Sequence, residues 1–172
     1  MTQPSRYARR MLLPLSMVVF AAVWTGVAVL GSDEMAGHIG LDGEVTRWDS
    51  KWGLLSGLGL IAVLVAVLFG RAERILSRIP ARAVNFPSRR RKAYWMEGSN
   101  RDEFNRRMGE DLALMGGATL LMMAWLLAAS AIIGSGDSAS WTLAIPVLTY
   151  LVAVLGYTVH ISVGSRYAIP GH

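Results

Sequence analysis

Residues 112–133 read LALMGGATLLMMAWLLAASAII, an unbroken stretch without Asp, Glu, Lys or Arg. A helix rises about 1.5 Å per residue, so this segment is long enough to cross a hydrocarbon core about 30 Å thick. A helix on the core of a water-soluble domain would instead carry charged side chains along one face at the 3.6-residue period. Three other stretches meet the same demand: residues 11–30 (MLLPLSMVVFAAVWTGVAVL), residues 52–70 (WGLLSGLGLIAVLVAVLFG) and residues 141–163 (WTLAIPVLTYLVAVLGYTVHISV). The expected fold is therefore all-α, a four-helix integral membrane bundle forming one domain over residues 1–172.

The composition agrees. Of 172 residues, 53% are hydrophobic and 17% charged, where a soluble domain carries about 25% charged residues. The length admits one domain and argues against separate cofactor and substrate lobes. The absence of cysteine excludes disulfides, thiolate metal sites, iron–sulfur clusters and a cysteine nucleophile. His38, His160 and His172 are far apart in sequence, so no metal centre and no cofactor is expected.

Net charge is +5, and the positions of the cations explain it. Fifteen of the 17 Lys and Arg lie in the N-terminal tail, in the connection of residues 71–111, or after the last span. The loop of residues 31–51 holds only Arg47 and Lys51, and residues 134–140 hold none. Under the positive-inside rule both termini and the long connection are cytoplasmic, an N-in/C-in topology. Basic juxtamembrane residues meet anionic headgroups, so the lipid bilayer is the implied partner and nucleic acid is not. The first span resembles a signal sequence in its basic flank. It exceeds the roughly 7–15 residues of a signal h-region, and VLGSDEMAG after it offers no A-x-A site, so it is read as retained.

Between the spans, the outer loop is Gly-rich and acidic, and neither a helical nor a strand pattern holds there. Gly37, Gly40 and Gly43 suit tight turns with positive φ. Trp48 and Trp52 read as interfacial anchors. On the basic side, span two continues as helix until Pro80 stops it, and an irregular stretch follows with the basic run Arg89 to Lys92. Ser99 with Asp102, or Asn100 with Glu103, reads as a capping box ahead of an amphipathic lead-in to span three. Gly53 and Gly57 form a G-x-x-x-G pair suited to packing within the bundle.

Chemistry is sparse. No ionisable residue lies in the central turns of any span, where such groups mark transport pathways, and His160 falls near the end of span four. There is no nucleophile elbow, phosphate loop or dinucleotide fingerprint. No catalytic residue is assigned, and the chain is not read as an enzyme; one acting on lipid or peptidoglycan precursors lacks a catalytic pair. His38, ringed by five carboxylates, suits a turn-stabilising, pH-sensing or metal-binding role, although it lacks a second histidine nearby.

His38, Gly43, Arg47, Trp48, Ser50 and Lys51 in MAGHIGLDGEVTRWDSK together resemble the outer-loop signature of the domain-of-unknown-function family numbered 1648, P-x-H-x-x-x-x-G-x-x-x-x-x-x-S-K. Asn85, Pro87, Tyr94 and Trp95 resemble the N-x-P…Y-W stretch that precedes the third span in that family. Ala36 stands where the family has proline. The resemblance covers roughly residues 11–130. It implies a small membrane protein of the bacterial plasma or inner membrane, similar to the N-terminal part of the sporulation-delaying toxin immunity proteins. The expected function is a non-enzymatic sensing, immunity or partner-binding module with a membrane or cytoplasmic protein as partner. The rival is a small-solute carrier or pore lined by Ser56, Thr119, Ser130, Thr149 and Tyr157.

Overall fold

A computed structural model describes residues 6–40, 44–133 and 140–170. Gly43, His172 and most of the expected outer loop at 134–140 lie outside the described residues. The chain runs α1 (Arg6–Leu30), β1 (Glu34–Ile39), β2 (Val45–Ser50), α2 (Lys51–Gly70), α3 (Ala72–Arg78), α4 (Arg89–Trp95), α5 (Gly98–Ile133) and α6 (Ser140–Val163). Single 3-10 turns occur at Ala81–Ala83 and Ser165–Tyr167. Helices α1, α2, α5 and α6 each contain a segment long and apolar enough to span a membrane. The architecture is the expected helical membrane bundle, to which the outer loop, expected to hold no strand, adds one small antiparallel sheet.

Helix α5 is the central element. Its 36 residues measure about 54 Å at 1.5 Å each, so it outruns the bilayer, and residues 98–111 project beyond the apolar segment. Its small residues let neighbours approach closely. A Cβ added at Gly116 would lie 2.7 Å from the Phe69 side chain, and one at Gly117 would lie 2.9 Å from Leu12. Backbone approach of this kind drives association in lipid, where hydrophobicity alone gives no preference for protein contact. Gly53 and Gly57 do not serve this purpose. Both are exposed, and nothing lies within 4 Å of a Cβ at Gly57. Leu13, Phe20, Ala62, Leu120, Met123 and Ala124 fill the middle of the bundle. Helix α6 is peripheral, and Leu148, Val152, Leu155 and Val159 are left on its outer face.

Local chemistry sets the element ends. Ser50 is extended, and its Oγ accepts the Gly53 N–H at 3.1 Å, capping α2. Ile79 takes the extended conformation required before Pro80, ending α3 where the sequence indicated. Pro14 and Pro146 sit inside α1 and α6 near their ends. The stretch beyond Pro80 is more regular than expected, because Ser88 caps α4 through the Arg91 N–H. The capping box at Ser99 or Asn100 does not form. Helix α5 has already begun at Gly98, whose φ of +44° suits glycine, and the Asn100 amide donates to the Tyr94 carbonyl instead.

Candidate functional site

The outer loop is a β-hairpin rather than a string of glycine turns. The register runs from Glu34 opposite Ser50 to Ile39 opposite Val45, with irregularities around His38. Gly37 is the extra residue of a bulge. It is not at positive φ; it is small because a Cβ there would overlap the Asp49 carboxylate. Two successive side chains just before the bulge are enclosed. Met35 and Ala36 are both buried, Met35 against Val27, Leu55 and Leu127. Ser130 of α5 donates its hydroxyl to the Ala36 carbonyl.

The motif residues of the hairpin divide into two groups. Ser50 and Lys51 are structural: Ser50 caps α2, and the buried Lys51 ammonium donates to the Gly31 carbonyl at 2.9 Å just beyond α1. A cation there is favoured by the α1 dipole. His38, Arg47 and Trp48 are exposed. His38 and Arg47 are cross-strand partners; His38 Nδ1 lies 2.6 Å from Thr46 Oγ1, and Arg47 donates to Asp49 at 2.8 Å. Trp48 and Trp52 are about half exposed. Beneath the hairpin a cavity of about 300 Å³ is lined by Ala36, His38, Ile39, Leu54, Leu126 and Ser130, among others.

The second site lies at the basic end and was not singled out from sequence. Asp111 of α5 is fully buried. Its carboxylate accepts from the Tyr157 hydroxyl of α6 at 2.8 Å, the Tyr167 hydroxyl at 2.7 Å and Arg166 Nε at 2.8 Å. Arg166 also reaches Glu110 at 3.0 Å. Burial works against the Arg166 cation, but the Asp111 carboxylate outweighs it and holds the guanidinium above its usual pKa. Burial, reinforced by the Asp111 charge, pushes the Tyr167 phenol far above its usual range.

Around this pair the projecting part of α5 gathers an aromatic and ionic cluster. Trp95 packs with Phe104 and Tyr167, and its indole N–H donates to the Tyr167 carbonyl at 2.9 Å. Arg107 lies over the Trp95 ring at 5.1 Å and bonds Glu103 at 2.6 Å. Arg106, hydrogen-bonded to Glu103 in the turns ahead of the apolar segment, holds that carboxyl down at about 2 against partial burial, with Arg107 assisting. Arg91 of the basic run donates to the Ser162 carbonyl, and Lys92 to the Arg82 carbonyl. These two cations are therefore internal fasteners. Of the Asn85, Pro87, Tyr94 and Trp95 set, Trp95 is the buried member, Tyr94 meets it edge-on at 5.2 Å, and Asn85 and Pro87 are exposed.

The polar side chains suggested for a path are engaged at separate places in the bundle or are exposed. Ser56 and Thr149 are exposed, Thr119 bonds Tyr150, Ser130 holds the hairpin and Tyr157 holds Asp111. His160 is exposed and stacks at 6.3 Å on Tyr157. Among the described residues no group of three or more His, Cys, Asp or Glu could hold a metal ion. No protein-family model matches the chain, and comparison with curated proteins and solved structures likewise gives no match.

Proposed function

We propose that the chain is a non-enzymatic multi-pass protein of the bacterial plasma membrane that binds a partner at its outer hairpin. Occupancy of the hairpin is passed along α5 to the basic end. The observation that carries this reading is the span of one helix: α5 holds the hairpin through Ser130 and the buried ionic cluster through Glu110 and Asp111. His38, Arg47 and Trp48 present the polar and aromatic contacts, while Ser50 and Lys51 fix the hairpin on the bundle. The outer-loop resemblance adds toxin immunity or signalling as the role such binding would serve, and a proteinaceous partner as the ligand.

The test is a photocrosslinking residue placed at Arg47 in native membranes, with the same residue at Leu151 on the outer face of α6 as the lipid-facing control. The reading predicts a discrete adduct from Arg47 that disappears in His38→Ala, together with altered amide exchange near Tyr167 in the adduct. Identical adduct patterns from Arg47 and Leu151, or an adduct indifferent to His38, would overturn it.

A further inference from the structure

Several arginines of the basic end are spent on internal contacts: Arg101 on the Leu76 and Ile79 carbonyls, Arg106 and Arg107 on Glu103, and Arg166 on Glu110 and Asp111. Arg71 and Arg74 are not. Both are exposed, and neither side chain has a hydrogen-bond or ion-pair partner among the described residues. They line a cavity of about 540 Å³ together with Gly70, Glu73, Ser77, Asp102 and Asn105. Asn105 is only 3% exposed, and its Oδ1 has no hydrogen-bond partner. Buried side-chain acceptors are nearly always paired, so this oxygen marks a place where a donor belongs.

We propose that this cavity is a phospholipid headgroup site, taking a phosphodiester that carries a hydroxyl donor. Arg71 and Arg74 supply charge-assisted hydrogen bonds to the phosphate, and Asn105 Oδ1 accepts from the headgroup hydroxyl. The exposed Asp102 carboxylate disfavours a bare anion and favours a headgroup with donors of its own. Depth fixes the source as lipid. The apolar segment of α2 ends at Gly70, which places Arg71 at headgroup level. Exposed Leu64 and Val67 lie on the helical stripe that leads to Arg71, the position for an acyl chain. Basic pockets between spans on the cytoplasmic side are suited to such headgroups.

The test uses the full chain in non-ionic detergent, reading thermal unfolding while lipid is titrated in. Phosphatidylglycerol should raise the midpoint at lower mole fraction than phosphatidylmethanol, which keeps the anionic phosphodiester but lacks the hydroxyl, or phosphatidylcholine. Arg71→Gln/Arg74→Gln should raise the half-saturating fraction by at least about tenfold, equivalent to about 1.4 kcal/mol. Arg89→Gln/Arg90→Gln, which removes equal charge elsewhere, should change it by less than about twofold. Asn105→Leu should erase the preference for phosphatidylglycerol over phosphatidylmethanol; if that variant does not fold, the lipid comparison in the native chain decides the point. Equal weakening by both arginine pairs would reduce the effect to general surface charge. An equal shift from inorganic phosphate would make the site one for a free anion, and no preference for phosphatidylglycerol would remove the role of Asn105; each outcome overturns the proposal.

Discussion

Replacing Asp111 by Ala should destabilise the basic end more than any surface change nearby. The wild-type carboxylate is fully buried and takes three donors at 2.7–2.8 Å. Removing one member of a buried ion pair typically costs about 3–5 kcal/mol, because the other charge stays behind. Here Arg166 keeps Glu110 at 3.0 Å and the Arg107 carbonyl at 3.3 Å, which limits the loss on its side. The Tyr157 and Tyr167 hydroxyls lose their carboxylate acceptor, and a buried hydroxyl left unsatisfied costs about 1–3 kcal/mol. These terms overlap, and a loss of about 3 kcal/mol is expected, lowering the unfolding midpoint by about 6–12 °C for a chain of this size. Trp95 sits in the same cluster, so tryptophan fluorescence during thermal unfolding in detergent reports the change directly. Arg89→Ala is the exposed control and should stay within about 0.5 kcal/mol. Asp111→Leu combined with Arg166→Met should recover much of the loss, since an apolar pair can replace a buried ionic one. If Asp111→Ala matched the Arg89→Ala control, the ionic cluster would not be what joins α5 to the C-terminal segment.

Other expectations follow from the same contacts. Tyr167 should keep its proton in the folded chain well past pH 10, near which an unfolded tyrosine ionises. Below that pH the group contributes its full stabilisation; above it the unfolded state releases a proton the folded state retains, so stability falls as pH rises. Denaturation midpoints between about pH 9 and about pH 11 should show this slope, flattened in Tyr167→Phe. Gly117→Leu, driven against Leu12, should cost about 1–3 kcal/mol or more by overpacking, while Gly57→Ala should be neutral or stabilising by up to about 1 kcal/mol; thermal unfolding separates them. Ser50→Ala should remove the α2 cap and cost about 0.5–2 kcal/mol, measurable as faster amide exchange at Gly53.

The spans were legible because crossing a bilayer imposes a local property, about 20 consecutive apolar residues, which a single sequence displays directly. The hairpin was not, because Met35 and Ala36 are both buried, which breaks the two-residue alternation that reveals a strand, and the register shifts again around His38. Spacing between glycines says nothing of which face meets a neighbour, so Gly53 and Gly57 matched a pattern while Gly116 and Gly117 made the contact. The ionic cluster had a signal that passed unused. Glu110 and Asp111 immediately precede the third apolar segment, and Arg166 and Tyr167 closely follow the fourth. Two spans ending on one side of a membrane bring such residues to the same height. Counting only Lys and Arg for topology passed over the acids that hold them.

The central claim is a chain that crosses the membrane four times with its basic end on one side and its hairpin on the other. Because the sequence contains no cysteine, single cysteines at Arg47 and at Arg89, both exposed, can be labelled with a membrane-impermeant maleimide in intact cells. The Arg47→Cys chain should label before permeabilisation and the Arg89→Cys chain only after it. Labelling of both from the same side without permeabilisation would contradict the account.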